Sequence, residues 1–156
     1  MTYYHRWTAQ NLDGTPIFQN QEDRAHETEV ARELEEHWRC TIRPFGMLSP
    51  VDWYAERDGR LVGILELKSR SHPHNKYDTV FLNVRKWLAL RLASLGMGCP
   101  SLFVVRFTDS IRWIKVDEID ARNYRIGGCV KQVKSHSDIE PVIEVVVDMM
   151  KPLEMK

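Results

Sequence analysis

The chain has no excess charge: lysine plus arginine and aspartate plus glutamate both number 22, so the net charge is zero. That argues against binding nucleic acid by bulk charge alone. There is no apolar run of the ~18–20 residues that a membrane span requires. There is also no apolar core behind the N-terminal Met1-Thr-Tyr-Tyr-His-Arg-Trp7 of the kind a signal peptide carries. The expectation is a cytoplasmic protein without membrane contact. Cysteines are few, odd in number and far apart (Cys40, Cys99, Cys129), which excludes a disulfide framework and a cysteine-based zinc site and suits a reducing compartment. Cys99 and Cys129 are expected to be inert. Repeats, low-complexity tracts and linkers are absent. What remains is 156 residues, 43% apolar and 28% charged, enough to bury a core and fitting a single domain over 1–156.

The charges cancel in sum but not in placement. Residues 20–40 hold seven acids against three arginines. Residues 60–91 hold seven bases against two acids, Glu66 and Asp78, with His72 and His74 among them. One third of the chain can therefore present a positive face, although a charge run is in general more often a solvated surface.

The periodicity predicts a helix over 21–38, where Val30, Leu34 and Trp38 recur every four residues and acids crowd the first turns. A short extended piece at 41–45 and a loop at 46–50 follow. Strands are expected at 51–57 and 61–67, joined by the hairpin signal Asp58-Gly59. The second, Leu61-Val-Gly-Ile-Leu-Glu-Leu67, is apolar enough to be buried on both faces. After a polar loop at 71–76, a second helix is expected over 79–95, stopped by Gly96 and Gly98. Strands at 101–107 and 111–116, an interrupted one at 124–133 and a last one at 142–147 complete the reading. The order implies an α/β (α+β) fold, a mixed central sheet flanked by helices with extra C-terminal strands.

One group of residues carries chemistry. Asp52 opens the first hairpin strand and, after thirteen intervening residues, Glu66-Leu67-Lys68 closes the second. A period of two sets Glu66 and Lys68 on one side of their strand, and the hairpin brings Asp52 into their neighbourhood. Two buried carboxylates side by side cost several kcal/mol without a cation between them. A hard divalent ion such as Mg²⁺, or Mn²⁺, removes that cost and brings water, which Lys68 is placed to orient or deprotonate. That is a phosphodiester hydrolase in outline.

Pro50-Val51-Asp52 followed by Glu66-Leu67-Lys68-Ser69-Arg70 resembles the PD-(D/E)XK nuclease superfamily, although Val51 separates the proline from the aspartate. Glu27, Val30 and Leu34 are similar to the first helix of archaeal Holliday-junction resolvases, and small phage-encoded members share this size and layout. The resemblance spans about two thirds of the chain. It implies a restriction-endonuclease-like αβββαβ core over about 21–107, with a β extension over 108–156. It implies catalytic residues Asp52, Glu66, Lys68 and Glu27, of which Asp52, Glu66 and Glu27 are metal ligands. It also implies DNA as substrate and, if that substrate is a junction with two cut positions, a homodimer. Where many members place a Gln or Tyr on the second helix, this chain offers Asn83 and Lys86.

Competing readings stand beside these. Glu29 or Glu33 could take the place of Glu27, because helix register drifts by a residue or two. His72 and His74 suit phosphate better than metal, since their loop follows the motif. With Arg70, Lys76, Lys86 and Arg91 they are the expected nucleic-acid contacts. Trp38 and Trp87 belong to the core, and Trp53 to the core or to a base-stacking platform. The alternative function is a catalytically silent nucleic-acid-binding or structural module on the same fold. Against it, clustered carboxylates without a metal are destabilising.

Overall fold

A computed structural model of the chain describes residues 21–126 and 140–154. The expectations for residues 1–19, for Cys129 and for the strand beyond residue 126 lie outside the described residues.

The elements are α1 (Gln21–Trp38), β1 (Thr41–Pro44), β2 (Trp53–Arg57), β3 (Arg60–Ser69), β4 (Thr79–Asn83), α2 (Val84–Met97), β5 (Ser101–Arg106), β6 (Ile111–Lys115), β7 (Tyr124–Ile126), β8 (Pro141–Val146) and β9 (Lys151–Pro152). Six strands form the main sheet in the order β1-β2-β3-β5-β6-β9. β3 and β5 run parallel, and the other neighbours are antiparallel. A second, antiparallel sheet has the order β4-β8-β7. This is the mixed α+β architecture that the sequence implies, with the additional C-terminal strands.

The main sheet has a core on each face. On one, Val30, Ala31 and Leu34 of α1 pack with Trp53, Ala55, Leu65, Leu67 and Val104. On the other, Leu82, Leu90 and Ile143 pack with Ile64, Phe103 and Val105. Alternation along β3 thus sends Leu65 and Leu67 toward α1 and Ile64 toward α2. Each such fully buried leucine or isoleucine contributes roughly 2 kcal/mol. β3 is buried from Gly63 to Leu67, as a strand paired on both sides and covered on both faces must be.

The helix expected over 79–95 begins later. Thr79–Asn83 is strand β4, pairing Val80 with Val145 and Leu82 with Ile143. Its buried positions alternate, and its β-branched and aromatic residues suit a pleated surface. The four-residue spacing from Leu82 to Lys86 and Leu90 therefore crosses an element boundary. Leu95, near the end of α2, is 82% exposed. Gly98, at φ 67°, is the helix stop, its N–H donating to the Ser94 carbonyl. The strand expected at 142–147 is β8, and β9 follows it.

Candidate active site

The β2–β3 hairpin turns at Asp58-Gly59 with both φ values positive, 52° and 72°, which is the backbone that Asp-Gly turns supply. From the turn, Arg57 pairs with Arg60 and Glu56 with Leu61. The register then shifts, and Ala55 pairs with Gly63 and Trp53 with Leu65. This bulge decides the site. A hairpin without it would set Asp52 against Leu65, whose side chain faces α1. With it, the register carried one residue further sets Asp52 against Glu66 on the α2 side.

The two carboxylates meet there, and the cation between them is Lys86. Its Nζ donates to Oδ1 of Asp52 at 2.9 Å and to the Pro50 carbonyl at 3.3 Å, and lies 3.5 Å from Oε2 of Glu66. Glu66 is only 6% exposed. Burial first, then the Asp52 charge, pushes its carboxyl up to about 8, against the pull of Lys86 and Lys68. Lys68 is half-buried at the strand end. Burial lowers its pKa, opposed by Glu66 and helped by the neighbouring charges of Arg70 and Lys86. The Lys86 ammonium is held above the usual lysine range because Glu66 and Asp52 outweigh its own burial.

This arrangement suits a hard divalent cation. The donors are carboxylate oxygens, and Oε2 of Glu66 is buried without a hydrogen-bond partner. Ions of the Mg²⁺ kind are commonly held by one or two carboxylates, with water filling the rest of the shell. Among the described residues no three His, Cys, Asp or Glu side chains converge as a metal-binding group. Glu27 does not join Asp52 and Glu66 in one cluster. It lies half-buried on the side of α1 that carries Val30 and Leu34, one turn before Val30, whereas Glu29 is exposed. Glu29 and Glu33 pair instead with Arg106, at 3.5 and 2.9 Å. Oε2 of Glu27 accepts the indole N–H of Trp53 at 3.3 Å. Trp53 is buried core with one polar contact rather than a stacking platform.

The basic segment is divided. Lys86, expected on phosphate, sits in the site on the two acids, because the late start of α2 turns its first turn toward β3. Arg70 is half-buried just past the motif, and its N–H bonds the Arg106 carbonyl. His72 packs on the rings of Tyr77 and Phe107, and Lys76 lies over Tyr77. His74 Nδ1 is 2.6 Å from Oδ2 of Asp109. Arg91 lies over Trp87 and lines a separate depression with Ser101 and Asp117. Cys99 is buried with its thiol pKa raised by burial, consistent with an inert side chain. Sequence reasoning missed Lys86 as the counter-cation; the signal available was a lone lysine in the first turn of the helix that follows the motif.

The sequence model of a family described as "Phage putative PDDEXK endonuclease" matches residues 14–153. No curated protein matches the chain. Among solved structures, it resembles Hjc of Archaeoglobus fulgidus, described as a Holliday junction resolvase from an archaeal hyperthermophile. The TM-score is 0.51 at 12% identity, over 78% of this chain and 87% of that one. At that identity the likeness speaks for the fold.

Proposed function

Since this chain belongs to the phage PDDEXK endonuclease family, we propose that it hydrolyses DNA phosphodiesters with a divalent metal, Mg²⁺ or Mn²⁺, held by Asp52 and Glu66. The observation that carries this reading is the pairing of a buried carboxylate, Glu66, with Asp52 on one face of the sheet beside Lys68. A divalent ion there would neutralise the two acids and lower the pKa of a water molecule. Lys68, whose amine loses its proton more readily than an ordinary lysine, orients the attacking water, takes its proton and steadies charge on the phosphoryl oxygens. Water adds to phosphorus, and the bond to the departing sugar oxygen breaks. Glu27, whose Oε2 accepts the Trp53 indole N–H, acts in this reading through a water of the metal's shell rather than as a direct ligand.

Arg70, His72, His74 and Lys76 follow the motif directly, and in this reading they guide the DNA backbone into the site. The enzyme is structure-selective and works in the cytoplasm of the host cell. A junction with two symmetric cut positions requires two sites, hence a homodimer. Leu88, Leu92 and Leu95, exposed at intervals of four and three along α2, supply an apolar surface for a second copy. Among the described residues no helix is long and apolar enough to cross a membrane.

The test is incubation of the protein with branched, linear and circular DNA, in Mg²⁺, in Mn²⁺, in Ca²⁺ and in EDTA. Cleavage of at least one form in Mg²⁺ or Mn²⁺, abolished by EDTA, is the expected result. Binding without cleavage of any form would overturn the reading.

A further inference from the structure

We infer that Lys86 is a built-in, displaceable counter-cation: its ammonium occupies the carboxylate oxygens that a divalent metal needs, so metal entry and Lys86 release are a single event. This rests on the reading of Asp52 and Glu66 as metal ligands. The geometry is specific. One Nζ lies 2.9 Å from Oδ1 of Asp52 and 3.5 Å from Oε2 of Glu66. Oε2 makes no hydrogen bond, so the ammonium compensates it by charge alone. A divalent ion bound to the same two oxygens would stand next to the ammonium, and like charges at such separation repel strongly in a buried site.

Lys68 does not play this part, because the ion pairs to Asp52 and Glu66 come from Lys86. The two lysines also differ in mounting. Lys68 is fixed on strand β3, where it pairs with Val105 of β5. Lys86 reaches the site from the first turn of α2 on a flexible four-carbon stem, with its side chain 24% exposed. The stem lets the ammonium swing to solvent without moving the helix. There the next anion to arrive is a substrate phosphate, which reconciles the lysine's place in the site with its expected contact to DNA. Lys86 is thus a positioning residue: before metal binds, it holds the two acids together, and afterwards it leaves them.

The test reads the amine of Lys86 directly in the wild-type protein. Brief acylation with an N-hydroxysuccinimide ester, quantified by peptide mass spectrometry, is run with and without saturating Ca²⁺, with binding followed by calorimetry. Ca²⁺ should raise the labelling of Lys86 by roughly 5- to 150-fold, the span of ordinary coupling between two ligands. Exposed Lys76 and Lys115 should be unaffected. In Asp52→Asn, checked for native circular dichroism, Ca²⁺ should leave Lys86 labelling unchanged. If Ca²⁺ binds the wild type and Lys86 labelling stays level or falls, the displacement is wrong while the metal centre stands. If neither Ca²⁺, Mg²⁺ nor Mn²⁺ binds, the metal centre is wrong and the displacement goes with it.

Discussion

The indole N–H of Trp53 donates to Oε2 of Glu27 across 3.3 Å, tying the first helix to the residue beside Asp52. Glu27 comes from the other side: α1 packs on one face of the main sheet, while Asp52 and Glu66 meet Lys86 on the face covered by α2. Glu27→Gln is expected to lower DNA cleavage by roughly tenfold or more with little change in melting temperature. Glu29→Gln, on the exposed side of the helix, should cut like the wild type. Trp53→Phe removes one hydrogen bond, about 1 kcal/mol, and should give a smaller loss. Equal single-turnover rates for Glu27→Gln and wild type would reduce Glu27 to an anchor for the indole.

Lys68 and Asp52 should fail in different ways. Lys68→Ala should keep its fold and its Mg²⁺ binding but cut on the order of 10²–10³ more slowly, as loss of a transition-state donor does. Asp52→Asn should lose metal binding first and activity in consequence. Calorimetry beside single-turnover cleavage separates the two. A Lys68→Ala protein that cuts at the wild-type rate would show that the active site has been assigned wrongly.

The raised pKa of Glu66 makes metal-free stability depend on pH in an unusual direction. Between its ordinary value of 4.5 and about 8, the folded protein keeps a proton that the unfolded chain has released. The folded state therefore loses stability as pH rises through that window. Lys86, whose pKa is raised, contributes fully throughout the window and is lost only at strongly alkaline pH. Melting curves in EDTA should show the transition falling from pH 5 to about pH 8. Glu66→Gln should flatten that trend and melt higher at the alkaline end, and saturating Mg²⁺ should flatten it for the wild type.

Arg70 and Lys76 should act on every DNA sequence alike. Replacing both with alanine is expected to weaken binding uniformly and to reduce the salt dependence by roughly one unit of slope for each. A loss confined to one sequence would point to base contacts instead.

Association should depend on the outer side of α2. Leu92→Arg, at a position 67% exposed, should leave melting unchanged and convert a dimer to a monomer in sedimentation equilibrium. A wild-type protein that sediments as a monomer, alone and on DNA, would remove the two-site reading.

The sequence alone determined the motif and its strands. The turn at Asp58-Gly59, the buried run through Ile64 and Leu65, and the side of α1 shared by Glu27, Val30 and Leu34 follow from local rules of dihedral preference and period, which act within a few residues. Strand β4 was hidden because Thr79–Asn83 leads directly into a helix, and only pairing with β8, some sixty residues later, selects the extended backbone there. The bulge between Ala55 and Glu56 was hidden too, although it puts Asp52 opposite Glu66 rather than Leu65. A one-residue slip exchanges the faces of a strand, and which register wins depends on the packing of both faces at once. Lys86 belongs to the same class. Its charge is visible in the sequence, but its place between two acids was decided by where α2 starts and which face of the sheet it covers. Burial then gives that contact its force, because the low dielectric that makes Glu66 costly to ionise also strengthens the pull of the ammonium beside it.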